Sequence, residues 1–365
     1  MLTKADDYPI HQTADPIAYS GTDRNFYDRY FFNGYGASDG PFFAAALGVY
    51  PHLNVMDAAF SVVDGNRQHN LHASKLLHME RLETRVGPIE VEVIEPLQVL
   101  RLTVSAPEHG IAAELTFSGR FPAIEEPRFT RRTGSATSMD YTRLTQNGCW
   151  EGWFEVAGQR HTVNSAQWRG TRDRSWGIRS VGMRDPQPNP AAGTPQFFWL
   201  WAPVNFAEAT SFYHLNADAD GDSWNTMGRW VDAAGAIELE HASSALDYRS
   251  GTRLAAAASI TGQSKDGRKL DLQLTPTQTF YMRGIGYGHP EWGHGLLHGE
   301  LDSAYEVYDL DGINPEDPGY FHIQAICDAQ AQFGDQQHQG IGILEQLVIG
   351  PYHPYGFNGL ADVAP

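Results

Sequence analysis

Apolar and polar residues alternate with period two in several windows, the pattern of a strand that buries one face. Ile89, Val91 and Val93 form one set, Ile111, Ala113, Leu115 and Phe117 a second, and Leu270, Leu272 and Leu274 a third. The third follows Asp266-Gly267, a dipeptide that favours a tight hairpin because glycine accepts a positive φ. Helical periodicity is scarce. Short helices are expected at most over Arg81–Arg85 and after Ser244.

The same pattern returns later in the chain. VVDGNRQHNLHAS ends at His72-Ala73-Ser74, and WVDAAGAIELEHAS ends at His241-Ala242-Ser243. Asp64 and Asp232 lie 168 residues apart, and His72 and His241 lie 169 apart, as do Phe43 and Phe212. Each copy is followed by a candidate hairpin, VSAPEHGIAAELTF in the first and GQSKDGRKLDLQL in the second. Such self-similarity is the signature of a duplicated unit. The Pro/Gly-rich stretch from Asp185 to Pro195 has the composition of a linker. The expected organisation is therefore two domains, 1–190 and 191–365. Sheets of this size must manage their edges, and closing into barrels does so. The expected fold is all-β: two tandem antiparallel β-barrel modules packed together.

Composition narrows the function. The 365 residues carry 9 Trp, 16 Tyr and 18 Phe, and 37 Gly and 21 Pro supply turns, a mixture that favours strands. The formal charge of −18 repels phosphate backbones and anionic headgroups, so neither nucleic acid nor a membrane surface is an expected partner. The first residues, MLTKADDYPIHQ, lack the apolar run of a secretory signal, and the apolar run Phe42–Tyr50 is too short to span a bilayer. A cytoplasmic protein is expected. Cys149 and Cys327 are the only cysteines, too few for a disulfide framework; both are expected as buried thiols.

No cofactor is implied. Gly284-Ile285-Gly286-Tyr287-Gly288 lacks the GxGxxG spacing of a dinucleotide site, and a P-loop and a GxSxG elbow are absent. His289, His294 and His298 are dense, but Pro290, Gly293 and Gly295 break the helix that would align them on a metal. No metal site is expected there. These histidines, with Tyr287 and Trp292, read either as a surface turn or as the wall of an aromatic pocket. Asp57, His214 and Glu345 interrupt apolar strands, where a polar group needs a partner.

The most distinctive segment runs from Gln167 to Arg179, QWRGTRDRSWGIR, followed by the aromatic stretch Gln196 to Pro203, QFFWLWAP. Asp173, among arginines and tryptophans, is either a structural ion pair under an aromatic lid or an acid whose pKa is raised for proton donation. Gly170, Asp173, Ser175, Trp176 and Gly177 follow a pattern close to Gly-x-x-Asp-His-Ser/Asn-Trp-Gly. At these residues the chain resembles the AttH-like and carotenoid hydratase (hydroxyneurosporene synthase) group of lipocalin-like double β-barrel proteins. The resemblance covers most of the chain in architecture and about a dozen residues in sequence. It differs at Arg174, where the pattern has histidine. It differs again at Phe197 and Trp199, where the hydratases carry His-x-Trp, and at Tyr213 and Leu215, where they carry Tyr-x-Asp.

The resemblance implies a cofactor-free lyase or isomerase that hydrates, dehydrates or isomerises a hydrophobic terpenoid, steroid-like or aromatic molecule. Asp173, with Tyr213 or His214, would be catalytic. Trp176, Trp199 and Trp201 would stabilise positive charge on the substrate through their ring faces, and Tyr35, Phe43, Tyr287, Trp292 and His294 would complete its binding surface. The alternative is a lipocalin-like carrier that binds such a ligand unchanged.

Overall fold

The computed structural model describes residues 1–185 and 194–365. The expected boundary at residue 190, and residues 186–193 of the proline-rich stretch, lie outside the described residues. The chain forms two compact units. The first comprises Met1–Gly34, Phe42–Pro190 and Gly284–Val307; the second comprises Tyr35–Pro41, Ala191–Arg283 and Tyr308–Pro365.

In chain order the strands are β1 (Phe26–Tyr35), β2 (Phe42–Tyr50), β3 (Val55–Asp64), β4 (Arg67–Leu76), β5 (Arg85–Val86), β6 (Ile89–Glu95), β7 (Val99–Ala106), β8 (Ile111–Gly119), β9 (Ile124–Glu125), β10 (Phe129–Thr133), β11 (Ala136–Val156), β12 (Gln159–Val163) and β13 (Arg169–Ile178). They continue as β14 (Phe197–Phe206), β15 (Ala209–Ala217), β16 (Ser223–Asp232), β17 (Gly235–Tyr248), β18 (Ala255–Ser264), β19 (Lys269–Tyr281), β20 (Leu301–Asp309), β21 (His322–Phe333) and β22 (Gln336–Ile349).

The first unit is one 14-stranded sheet in the order β20-β4-β3-β2-β1-β13-β11-β8-β7-β6-β5, with β9, β10 and β12 paired to β11. The second is a closed antiparallel barrel, β14-β15-β16-β17-β18-β19-β21-β22. The architecture is thus two tandem barrel-like modules, as the alternation implied. The helices expected over Arg81–Arg85 and after Ser244 do not form. Arg85 opens β5 and Ser244 lies within β17, and the helical segments among the described residues are 3-10 turns of three or four residues. Period-two sequence and cross-strand pairing prevail there over weak helix propensity.

The alternating sets pack as read, with one exception. Ile111, Ala113, Leu115 and Phe117 are buried, as are Leu270, Leu272 and Leu274. Val93 is 43% exposed, because the β6–β7 register shifts between Val93 and Glu95 near the edge of the sheet, and a bulge turns side chains away from the buried face. The repeats are hairpins, β3–β4 turning at Gly65-Asn66 and β16–β17 turning at Ala233-Ala234 before Gly235, with Gly65 and Gly235 at positive φ. The match of Phe43 with Phe212 is a one-residue slip. Phe43 pairs with Val62 and Ser211 with Trp230, so Phe43 lies in its core while Phe212 takes the face opposite the barrel core. A slip of one reverses every side chain.

The glycines of the Gly170–Gly177 motif have backbone reasons. A Cβ on Gly170 would come 2.1 Å from Asn33 O, the carbonyl that accepts the Trp150 indole N–H at 2.8 Å. Gly177 has φ +136, and its Cβ would lie 2.3 Å from Asp140 O. The motif therefore marks close strand contact in the first sheet.

The barrel interior is filled by Phe198, Leu200, Tyr213, Trp230, Leu272, Phe333 and their neighbours. Arg253, 2% exposed, ties the C-terminal segment to it. Its guanidinium donates to Val348 O (3.1 Å), Gly350 O (3.0 Å), Gly359 O (3.2 Å) and Asp362 O. Removing the head group orphans several carbonyls at once, which costs about 1–3 kcal/mol for each buried group left unsatisfied. We predict that Arg253→Met lowers the urea midpoint and opens the chain after Gly350 to limited proteolysis; an unchanged digestion pattern would contradict this.

Candidate active site

Alternation sorts the barrel strands into two faces. On β14 the even residues Phe198, Leu200, Ala202 and Val204 enter the core, and on β21 the odd residues from Ile323 to Phe333 do so. Trp199 and Trp201 on β14, His214 on β15, Glu345 on β22, and His322 and Gln324 on β21 therefore share the opposite face, and all six are buried. The register aligns them. His214 pairs with Trp201 on one side and Glu345 pairs with Trp201 on the other, with Gln324 next beyond Glu345.

Glu345 is the centre of this row. Its Oε1 accepts from His322 Nε2 at 2.7 Å and from Trp199 Nε1 at 3.0 Å, and its Oε2 accepts from Gln324 Nε2 at 2.8 Å. Three donors on one carboxyl group replace the water that it loses on burial, and a carboxylate beside an imidazole sets which ring nitrogen carries the proton. On the other flank His214 Nε2 lies 3.1 Å from Asn225 Oδ1, and its ring packs 5.7 Å from Trp199 and 5.8 Å from Phe212. Two proton-handling groups thus flank paired indoles. Adjacent strands are about 4.8 Å apart, so His214 and Glu345 are separated by about 10 Å across β14.

The other expected residues belong to other elements. Tyr213 enters the barrel core, where its hydroxyl donates to Ser244 Oγ at 3.2 Å and burial pushes its pKa up to about 12. Tyr35 belongs to the second unit; its hydroxyl accepts from Asn205 Nδ2 at 3.0 Å and donates to Ile341 O at 3.4 Å. Phe43 is core, ringed by Trp150, Phe154 and Trp168. Asp173 and Trp176 sit on β13 of the first unit. Asp173 is half-buried within the electrostatic reach of Arg143 and Arg172. Neighbouring Arg174 makes a two-pronged pair with Asp28 at 3.0 and 3.1 Å. Trp176 is 38% exposed.

Trp292 and His294 line a pocket in the first unit together with Arg29, Asp57, His72, Ser74 and His298, and Tyr287 packs behind His294 without lining it. The Tyr287 and His294 rings meet edge to face at 4.4 Å. Beside the pocket, His72 Nε2 and His289 Nε2 each lie 3.1 Å from Glu306 Oε1, and these three donor atoms fall within 4.8 Å of one another, close enough to hold a metal ion. The donor chemistry does not fit one. His289 Nδ1 accepts the backbone N–H groups of Glu291 (3.1 Å) and Trp292 (2.8 Å), so in the neutral ring the proton sits on Nε2, the nitrogen a metal would need unprotonated. The cluster is a hydrogen-bonded His–Glu–His arrangement, and burial lowers the pKa of His72.

Sequence reasoning singled out Trp199, Trp201, His214 and Glu345 but missed His322 and Gln324. Their signal was present: two polar residues spaced by two, alternating with Ile323 and Ala325. It missed Glu306 and Arg29 because the contacts Glu306–His72 and Arg29–Ile285 each cross more than 200 residues of chain.

Both cysteines are free; Cys327 is buried, as expected, and Cys149 only half-buried. No helix among the described residues is long and apolar enough to cross a membrane. No curated protein matches the sequence. Among solved structures the chain is similar to an AttH protein, NE1406, from Nitrosomonas europaea, at 12% identity and TM-score 0.52, over 93% of this chain and 98% of that one. It is similar also to kievitone hydratase from Nectria haematococca, again at 12% identity and TM-score 0.52, over 88% of each chain. At that identity the likeness establishes the fold, the double barrel of AttH-like proteins. By sequence, a model described as "Family of unknown function (DUF8625)" matches residues 2–358, and the chain belongs to that family.

Proposed function

We propose that this protein is a lyase or isomerase that hydrates, dehydrates or shifts a double bond in a hydrophobic small molecule, with the Trp199/Trp201 face of the barrel as its active site. The observation that carries the reading is the row His214–Trp201–Glu345, in which two proton-handling side chains flank an indole on one buried face. Adding water to a double bond requires one group to deliver a proton to one carbon and another to take a proton from the water that attacks the other carbon. Glu345, oriented by His322, Gln324 and Trp199, is the base in that scheme, and His214, held by Asn225, the donor. Dehydration runs the same transfers in reverse, and isomerisation takes a proton from one carbon through one group and delivers a proton from the other, solvent-exchanged group to a different carbon. The indoles of Trp199 and Trp201 stabilise cationic character between them. None of these steps moves electrons to or from a cofactor.

Three lines support this over a carrier. The neighbouring fold includes a protein named as a hydratase. The barrel interior, where a lipocalin-like carrier would hold its ligand, is filled by aromatic and aliphatic side chains. A carbonyl-rich or apolar wall would suffice for binding, whereas a carboxylate with three donors costs desolvation and has a use in proton transfer.

Two substitutions separate this site from Asp173. With extracts rich in isoprenoids and aromatic compounds as substrate source, mass spectrometry should detect a product that differs by one water or an isomer of altered retention. Glu345→Gln, which keeps shape and folding by circular dichroism, should slow its formation by about 100-fold or more. Asp173→Asn should leave it within a factor of about three. The reverse pattern would move catalysis to the β13 motif, and a ligand retained unchanged by wild type and Glu345→Gln alike would mark a carrier.

A further inference from the structure

The pocket in the first unit contains a buried guanidinium whose donors are not satisfied. Arg29, on β1 and 2% exposed, donates Nη2 to Ile285 O at 3.0 Å, while Nε and Nη1 have no partner among the described residues. The face of Tyr287 lies 4.8 Å from its guanidinium. Unpaired N–H groups out of reach of water cost about 1–3 kcal/mol each, more when charged. A second guanidinium lies close by. Arg179 sits over Tyr27 at 4.5 Å and over Tyr287 at 5.4 Å, and its Nε is also buried without a partner. Its Nη2 donates to His294 Nδ1 at 3.2 Å, and His294 Nε2 in turn donates to Ile285 O at 3.1 Å, so this histidine is the neutral tautomer and adds no charge.

One carboxyl group stands against the two guanidinium ions. Asp57 accepts from Tyr50 Oη at 3.1 Å and from Gly295 N at 2.7 Å. It keeps some accessible surface, yet the protein surrounds it densely enough that burial raises its pKa, against the lowering pull of Arg29 and Arg179. The phenols do not offset the positive charge, since burial raises the pKa of Tyr50 and takes that of Tyr27 up to about 12. The cavity bounded by Arg29, Asp57, His72, Ser74, His294 and His298 has a volume of ≈ 10 Å³, room for about one water-sized atom. Positive charge, unpaired donors and one-atom space describe an anion-binding cradle.

We propose that this pocket binds a small monovalent anion, a halide or one oxygen of a ligand carboxylate, against Nε and Nη1 of Arg29. The pocket shares no residue with the Glu345 row, and its occupancy does not depend on that row's function. Binding is linked to protonation of Asp57, because an ionised Asp57 repels the anion and a protonated one does not. The sign follows: with the pKa of Asp57 raised in the protein, affinity is greatest below that pKa and falls by up to about tenfold per pH unit above it. The other groups facing Asp57 are Arg29 from β1, Tyr50 from β2, His72 from β4, Arg179 after β13, and His294 and His298 from the 284–299 segment. Burial lowers the pKa of His72, so its titration is tested apart from that of Asp57.

The test is the linewidth of chloride in ³⁵Cl NMR with the full chain in solution. Saturable broadening that strengthens as pH falls is expected, with formate displacing chloride if the cradle also takes carboxylates. Arg29→Met should reduce the broadening at least tenfold. Asp57→Asn should keep it and make it independent of pH, whereas His72→Gln should leave the pH dependence in place. If Arg29→Met does not fold, the Asp57→Asn comparison decides alone. Broadening equal in wild type and Arg29→Met, absent altogether, or as pH-dependent in Asp57→Asn as in wild type would overturn the proposal, and would leave the cradle to a single water molecule.

Discussion

A carboxylate taken out of water is stable only where donors replace the solvent it loses, and the outer face of the second barrel is organised around that requirement. Glu345 sits on a strand whose neighbours contribute Trp199 and Trp201 from one side and His322 and Gln324 from the other. Remove those donors and the effective penalty is several kcal/mol. The requirement explains why polar residues recur on β15, β21 and β22 at the period of the strand, between apolar residues that fill the barrel. The first unit meets the same constraint differently. Glu126 is buried and accepts from Arg143 at 2.7 and 2.9 Å, while Arg29 lines a cavity with Nε and Nη1 lacking a partner among the described residues. Satisfied charges hold the fold, and the unsatisfied one marks a place for a ligand.

The β architecture was legible because period-two alternation and glycine turns are local properties. Both repeated hairpins, and the hairpin at Asp266-Gly267, form where the residues indicated. Errors arose where local signals compete with pairing. Val93 looked like a third inward residue until a register shift turned it out. Phe43 and Phe212 matched by letter, but strand register, which sequence spacing does not carry, places them on opposite faces.

The candidate site was legible in part. Trp199, Trp201, His214 and Glu345 stood out because polar and aromatic residues in apolar strands require a reason, and the β14–β15–β22 pairing brings them into one row. Asp173 stood out for a different cause. The glycines on either side of it are demanded by close backbone approach, so much of the motif's distinctiveness belongs to the fold. The His72–Glu306 and Arg29–Ile285 contacts join residues 234 and 256 positions apart, and no spacing rule reaches that far. Histidines 289, 294 and 298, which looked like a possible cluster, instead divide their roles: His289 binds Glu306, His294 binds Arg179, and His298 stacks on Trp292 at 3.8 Å.

The proposed reaction moves a proton between water and carbon. The most direct measurement is turnover in D₂O, with the product analysed by mass spectrometry for deuterium that does not wash out on return to H₂O. The account predicts one deuterium retained on carbon in a hydrated or isomerised product, and loss of a deuterium from pre-labelled substrate in the dehydration direction. A converted product with no carbon-bound deuterium would contradict it, since the double bond would then have changed without proton transfer from solvent-exchanged groups.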